Sequence, residues 1–151
     1  MELLHRKLYE SNDLSSISLK KYIEELSNDL IFTYSKQNNI EIINDIEDIN
    51  IDIDYALPCG LIITELVTNS FKYAFDDKGK IYISFYTKNK TAFLKVQDTG
   101  KGLDKNIDIY NTKSLGLQII SNIIKGQLFG NLNYIYDKGA KFEIDFKIEE
   151  K

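Results

Sequence analysis

The stretch ELVTNSFKYAF, residues 65–75, decides how the rest of the sequence is interpreted. Its apolar residues recur at helical spacing and predict the buried face of a helix. At about 100° per residue, Glu65, Asn69 and Lys72 lie within about 60° of one another on the other face. Asn is a poor helix former, because its amide competes for backbone hydrogen bonds. This edge could hold a hard cation beside an anion, such as Mg²⁺ with phosphates; the alternative is the solvated face of an ordinary amphipathic helix.

The composition is that of a single globular domain. The 151 residues are 43% hydrophobic and 28% charged, which is enough for a sizeable core. The net charge of −4 argues against nucleic-acid or membrane binding, because no surplus of positive charge is present to neutralise phosphates. The single cysteine, Cys59, excludes an internal disulfide and is typical of a reducing compartment. No apolar run approaches the roughly 20 residues of a membrane span. We expect a cytoplasmic domain, with the cytoplasmic portion of a membrane-bound sensor as the alternative form of this expectation.

Hydrophobic periodicity predicts an α/β fold with two layers. Helical spacing indicates helices over about 18–35, capped by Ser18, over about 55–74, with Pro58 in the first turn, and over about 115–125. Alternation predicts strands at 40–42, 49–53, 80–87, 91–98, 131–136 and 140–148, with a loop over 44–48. Adjacent strand pairs with helices between them favour a mixed, mostly antiparallel sheet that carries about three helices on one face.

Two glycine-containing segments are candidate ligand loops. DTGKGL, residues 98–103, follows a strand directly, and alternate glycines let a flat ligand approach the backbone. Asp98 ends that strand as an acceptor-only carboxylate, for which the exocyclic amine of a base would be a suitable donor. SLGLQ, residues 114–118, opens a helix, where backbone N–H groups favour phosphate. A simple strand–turn and a chance glycine at a helix start are the alternatives.

The order of these motifs resembles the ATP-binding catalytic domain of sensor histidine kinases. An ExxxNxxK helix, a DxGxG loop, an LGL helix start and Gly139 before the last strand follow one another, and PCGLIITELV (58–67) and SLGLQ (114–118) are the most specific matches. That domain belongs to the GHKL superfamily and has the Bergerat fold. The resemblance covers residues 18–148 and implies two regions. Residues 1–17 would be a remnant of the dimerisation and phosphoacceptor region with its linker, and residues 18–151 the catalytic domain.

The resemblance implies roles for the polar helix edge and for the first glycine loop. Asn69 would be a Mg²⁺ ligand, Glu65 the acid/base or polarising carboxylate, and Lys72 a phosphate contact. Tyr73 would lie beside the nucleotide, and Leu103 would form part of the pocket wall.

The same resemblance implies that the glycine loops bind ATP. Asp98 would accept a hydrogen bond from the adenine amino group, and Gly100 and Gly102 would let the base lie against the backbone. Gly116 and the amides near Leu117 would bind phosphates.

The chain departs from the family pattern at two positions. Ser114 replaces the first glycine of the second glycine box, and Ala140 follows Gly139 where many relatives have threonine. We expect these changes to weaken nucleotide affinity without removing the metal and adenine contacts.

The resemblance also implies what the chain does. We expect the C-terminal catalytic part of a two-component sensor histidine kinase, which transfers the γ-phosphoryl group of ATP to a histidine on an upstream dimerisation helix and works with a response-regulator receiver domain. We do not expect His5, in HRKLY, to be the phosphoacceptor, so this chain alone should bind ATP but transfer little phosphate. Because the family's dimer is made by the dimerisation helices, we expect a monomer. The alternatives are a GHKL serine kinase or ATPase of the anti-sigma type and a pseudokinase that acts as an interaction module.

Overall fold

A computed structural model describes residues 15–34, 39–74, 78–100 and 115–148, with the backbone alone at positions 73, 74 and 115. The strands in chain order are β1 (Ser16–Ser18), β2 (Asn39–Ile46), β3 (Asn50–Asp52), β4 (Lys78–Lys88), β5 (Thr91–Asp98), β6 (Asn131–Tyr136) and β7 (Ala140–Lys147). The helices are α1 (Leu19–Tyr34), α2 (Ile53–Asn69) and α3 (Leu115–Ile123).

Five strands form the main sheet, in the order β2-β4-β5-β7-β6. β2 runs parallel to β4, and every other neighbouring pair is antiparallel. β1 and β3 form a separate antiparallel pair. The described residues therefore contain a mixed, mostly antiparallel sheet and three α-helices, which confirms the predicted fold class.

The sheet buries one face only. Alternate residues of β4, β5 and β7, such as Ile83, Leu94 and Ile144, are almost completely buried in the core with the helices. Their neighbours point the other way, and Tyr86 on that open face is 52% exposed. Strict alternation over three strands is what one helix-covered face and one wet face require.

Polar caps define where the first two helices begin. The Ser18 hydroxyl accepts a hydrogen bond from the Lys21 N–H at 3.4 Å, and the Asp52 carboxylate accepts from the Asp54 N–H at 2.8 Å. The second cap starts α2 two residues earlier than predicted. Pro58 therefore lies in the second turn, not the first, and leaves the Asp54 carbonyl without its helical donor. Asp54 is exposed, so water can satisfy that carbonyl.

Several predicted boundaries were wrong, including both ends of β4, which was predicted at 80–87 and spans Lys78–Lys88. β2 continues to Ile46, through most of the predicted 44–48 loop, because β4 pairs with it along its whole length. Ile53, predicted to end a strand, instead begins α2 after the Asp52 cap. The last predicted turn of α2 is π-helical, over Ser70–Ala74, and α3 is followed by a π turn, Ile124–Leu128, that runs past the predicted helix end at 125. Sequence periodicity does not separate a π turn from an α turn, because the two differ by about one residue per turn.

The contact between α1 and α2 buries a tyrosine hydroxyl. The ring of Tyr22 lies over Gly60, where any side chain would collide with it. The Tyr22 hydroxyl is the buried side-chain polar atom that has no hydrogen-bond partner among the described residues. Burial raises the pKa of Tyr22 to about 12, with a smaller contribution from Cys59, and burial alone raises the pKa of the Cys59 thiol to about 12.

We expect Tyr22→Phe to stabilise the protein by about 1 kcal/mol, because it removes a buried hydroxyl that has lost its water and gained no partner. The free energy of unfolding in urea measures this. Tyr82→Phe, on the open face of the sheet, is the matched control and should change stability by less than about 0.5 kcal/mol. A loss of stability in Tyr22→Phe would show that the hydroxyl has a hydrogen-bond partner.

Stability should fall at alkaline pH, and Cys59→Ala should reduce the fall. The folded state holds the thiol neutral up to about pH 12, whereas the unfolded thiol ionises near its ordinary pKa of 9.0. The contribution of the neutral thiol to the free energy of unfolding is therefore complete below pH 9 and is lost as the pH rises through 12. Over this range the free energy of unfolding falls by up to about 1.4 kcal/mol per pH unit. Urea unfolding of both proteins at pH 8 to 10 measures the difference, and parallel pH profiles would contradict the expectation.

Candidate functional site

Asp98 carries a buried carboxylate at the end of β5. Its position in the strand alternation places it on the core face, where it is only 5% exposed. Burying a carboxylate is costly unless it receives hydrogen bonds. Oδ1 accepts from the N–H of Gly100 at 2.9 Å and from that of Ala140 at 3.1 Å, and Oδ2 accepts from the Ser70 hydroxyl at 2.8 Å. The charge is thereby held by groups from three separate parts of the chain.

Ser70 is the site residue that the sequence analysis missed. It is 7% exposed, and its hydroxyl also lies 3.1 Å from the Leu66 carbonyl, one turn back in α2. The signal was present in the sequence, since Ser70 follows Asn69 by about 100° on the helical wheel and so falls toward the apolar face. A polar side chain on a buried helix face needs a partner, and the partner here is Asp98.

Glu65 and Asn69 converge on the start of α3. Both side chains are half-buried. A Cβ atom built on Gly116 would lie 3.3 Å from the Asn69 Nδ2 and 3.3 Å from the Glu65 Oε1. Turning the amide by 180° exchanges Nδ2 for Oδ1, so Asn69 can present an oxygen in the same place. The tertiary fold therefore places the polar helix edge and the second glycine motif together.

The end of α2 joins these two clusters. Asn69 and Ser70 are consecutive, yet one lies by α3 and the other bonds to the end of β5. A rotation of about 100° between successive helical residues accounts for the two directions. The distance between a ligand group at Asp98 and one at Asn69 is therefore set by a single helix end.

Gly139 closes the site beside Asp98. Its φ of +146° lies in a region that residues with a side chain rarely adopt, and a Cβ there would meet the backbone and carboxylate of Asp98. This conformation lets the next N–H, that of Ala140, reach the Asp98 Oδ1. The glycine is required by both its backbone angle and the close approach of the β5 end.

The remaining predicted site residues have different settings. Lys72 is exposed in the π turn, and Gly100 donates its N–H to Asp98. Leu117 is 4% exposed, so its side chain belongs to the core. The side chain of Tyr73, a predicted site residue, is outside the described side chains. Four further residues named in the sequence analysis lie outside the described residues: His5, Gly102, Leu103 and Ser114.

The donor set fits a nucleotide with a hard cation. The described residues contain no cluster of three or more His, Cys, Asp or Glu side chains that could hold a metal ion by itself. A cation beside Asn69 would therefore need further oxygen ligands, and phosphate oxygens are the usual source for Mg²⁺. Asp98 supplies a carboxylate acceptor, and the space that a Cβ at Gly116 would fill lies against Glu65 and Asn69.

Residues 55–150 match the model of the family described as histidine kinase-, DNA gyrase B- and HSP90-like ATPases. The chain belongs to this family. Residues 1–34 match a second model, described as histidine kinase. The resemblance to the ATP-binding domain of sensor histidine kinases is thereby confirmed. Over the described residues, no helix of this ATPase-family domain is long and apolar enough to cross a membrane.

Relatives of known sequence and solved structures are similar to this chain. The sensor histidine kinase PdtaS of Mycobacterium tuberculosis is 33% identical over 94 residues, which cover 60% of this chain and 19% of PdtaS. The structure of the blue-light-activated histidine kinase of Erythrobacter litoralis superimposes with a TM-score of 0.85 at 22% identity, over 97% of this chain and 51% of that one. The Acinetobacter baumannii histidine kinase AdeS gives 0.75 at 20% identity, over 99% and 75%. This ATPase-family chain thus spans about a fifth of PdtaS, and the structural matches show its fold.

We expect Gly139→Ala to destabilise this ATPase-family domain by at least 2 kcal/mol, because the added Cβ combines a forbidden backbone angle with a collision against Asp98. Gly126→Ala is the matched control, because a Cβ at Gly126 meets no atom of the described residues within 4 Å. It lies in the π turn and should stabilise by about 0.5 kcal/mol. Thermal and urea unfolding measure both changes. Equal effects of the two substitutions would contradict the close packing of Gly139 against Asp98.

Proposed function

We propose that the chain is the ATP-binding catalytic domain of a sensor histidine kinase, with ATP and Mg²⁺ as its ligands and a histidine as phosphoryl acceptor. The observation that carries the proposal is the pairing of two clusters by one helix end. Asp98 is a buried acceptor at the end of β5, and Asn69 with Glu65 faces the start of α3. A single ATP molecule would occupy both clusters, with its adenine amino group at Asp98 and its phosphates beside Asn69.

The carboxylate of Asp98 suits a base that carries an amino group. Three donors from the described residues hold it, so it stays in place when water leaves the site. In the proposed role it accepts a hydrogen bond from the exocyclic amine of adenine. Gly100 and Gly102 would allow the base to approach the backbone closely.

The cluster of Asn69 and Glu65 at the start of α3 suits the phosphates. Asn69 would offer its amide oxygen to the cation, and Glu65 would orient or polarise the attacking group. When bound, Mg²⁺ would neutralise charge on the phosphate oxygens. The first turn of α3 begins beside both side chains. Its free backbone N–H groups and the positive end of the helix dipole would favour phosphate there. Lys72, an exposed residue three positions after Asn69, and Tyr73 would contact the nucleotide.

Phosphoryl transfer depends mainly on positioning, so the acceptor matters as much as the ATP site. We infer that the acceptor is a histidine on a dimerisation helix and not His5, and that a response-regulator receiver domain then takes the phosphoryl group. The match of residues 1–34 to a histidine kinase model supports this over a serine kinase of the anti-sigma type. On this proposal residues 1–17 belong to that dimerisation region and residues 18–151 to the catalytic domain, in the cytoplasm.

Calorimetric titration of the 151-residue chain with ATP, with and without Mg²⁺, tests the proposal. Asp98→Asn should weaken ATP binding at least tenfold, because an amide donates where the site has donors already. Asn69→Ala should abolish the dependence of affinity on Mg²⁺.

Two substitutions away from the site serve as matched controls. Asp145→Asn changes another strand aspartate, one that accepts from Asn131 at 3.0 Å, and Asn122→Ala changes an exposed helical asparagine. Neither should change ATP affinity more than twofold. Absence of binding at millimolar ATP would refute the proposal and favour an interaction module that kept the fold alone.

A further inference from the structure

We propose that Ser70 is a positioning residue that makes the site selective for purine nucleotides with an exocyclic amino group. The inference rests on the proposed function, since it assumes that the base lies at Asp98. It concerns a residue that the sequence motifs did not include and whose hydroxyl contacts the site, among the described residues, through a hydrogen bond to Asp98.

The acceptor sites of Asp98 can be counted. A carboxylate has about four lone-pair positions, two on each oxygen. On Oδ1 both are used, by the N–H groups of Gly100 and Ala140. On Oδ2 one is used, by the Ser70 hydroxyl. Among the described residues, one position therefore remains for a ligand, and it lies on the oxygen that Ser70 holds.

Ser70 consequently decides which way the remaining lone pair points. The two N–H donors fix Oδ1, and the Ser70 hydroxyl at 2.8 Å fixes the rotation of the carboxylate about that anchor. Both Ser70 and Asp98 are less than a tenth exposed, so little water competes for this bond. Hydrogen bonds to an ionised acceptor are roughly twice as strong as neutral ones, which favours Asp98 over the Leu66 carbonyl as the acceptor of the single hydroxyl proton.

Removing the hydroxyl would leave Oδ2 with two open positions. The carboxylate could then rotate or take up a water molecule, and its fixed direction toward an amine would be lost. The proposed phosphate contacts, beside Asn69 and Gly116, would not involve Ser70 and would persist. The expected signature is therefore a loss of base selectivity, and not a general loss of nucleotide binding.

The test compares ATP with purine riboside 5′-triphosphate, which is ATP without its amino group. For the unmodified 151-residue chain with Mg²⁺, we expect calorimetry to show about tenfold tighter binding of ATP, the value of one hydrogen bond to a charged group. Ser70→Ala should weaken ATP binding about tenfold and the binding of the purine analogue less than twofold, so that the two affinities become nearly equal.

Two further variants separate positioning from folding. Ser70→Thr keeps the hydroxyl and should retain most of the ATP preference. Ser27→Ala is the matched control, because Ser27 is also buried in a helix and its hydroxyl also lies within hydrogen-bond distance of the carbonyl four residues back, at 2.8 Å from that of Ile23. It should lower thermal stability yet leave the ratio of the two affinities unchanged.

The outcomes distinguish this inference from the proposed function. If the unmodified chain binds neither nucleotide, both are overturned. If it prefers ATP and Ser70→Ala keeps the full preference, the role of Ser70 is overturned while the nucleotide site stands. If the unmodified chain binds both nucleotides equally, Asp98 does not bind the amino group and the inference fails. Loss of the preference in Ser70→Ala with its retention in Ser70→Thr and Ser27→Ala supports it.

Discussion

The cost of burying one carboxylate organises this molecule. Asp98 ends a central strand on the core face, where an unpaired charge would destabilise the folded state by several kcal/mol. Its hydrogen bonds require the end of α2, the turn after β5 and the start of β7 to meet at one point. The φ of Gly139 and the absence of a side chain there follow from the same need. A ligand that donates to Asp98 would thus bind where three separate parts of the chain meet.

Helix α2 links the core to the site because its faces have different tasks. Its apolar side packs on the sheet, and its Gly60 leaves room for the Tyr22 ring of α1. At its C-terminal end, Asn69 and the following residue, Ser70, point in two directions. The π turn that follows, Ser70–Ala74, starts at the residue that bonds Asp98. π turns often occur at functional sites, since an extra residue per turn redirects side chains without ending the helix. The site geometry therefore depends on where α2 stops being an α-helix.

Sequence reasoning reached most of the fold and part of the site. The predicted bounds of β5 and β6 were right to the residue, and in β5 the reason is a strict alternation of buried and partly exposed side chains. Sequence reasoning cut β2 short, because pairing with β4, and not side-chain alternation, keeps that strand extended to Ile46. It placed Pro58 one turn too early, because a single capping hydrogen bond at Asp52 moved the start of α2.

The sequence by itself determined which chemistry is available: an acceptor-only carboxylate after a strand, an amide and a carboxylate on one helix edge, and a glycine at a helix start. It also determined the periodicities that require a two-layer fold. Only the tertiary structure decided that Gly116 faces Glu65 and Asn69, and that Ser70 and the Ala140 N–H complete the shell of Asp98. These contacts join residues up to 51 positions apart (65 to 116), and local spacing carries no information about partners at such separations.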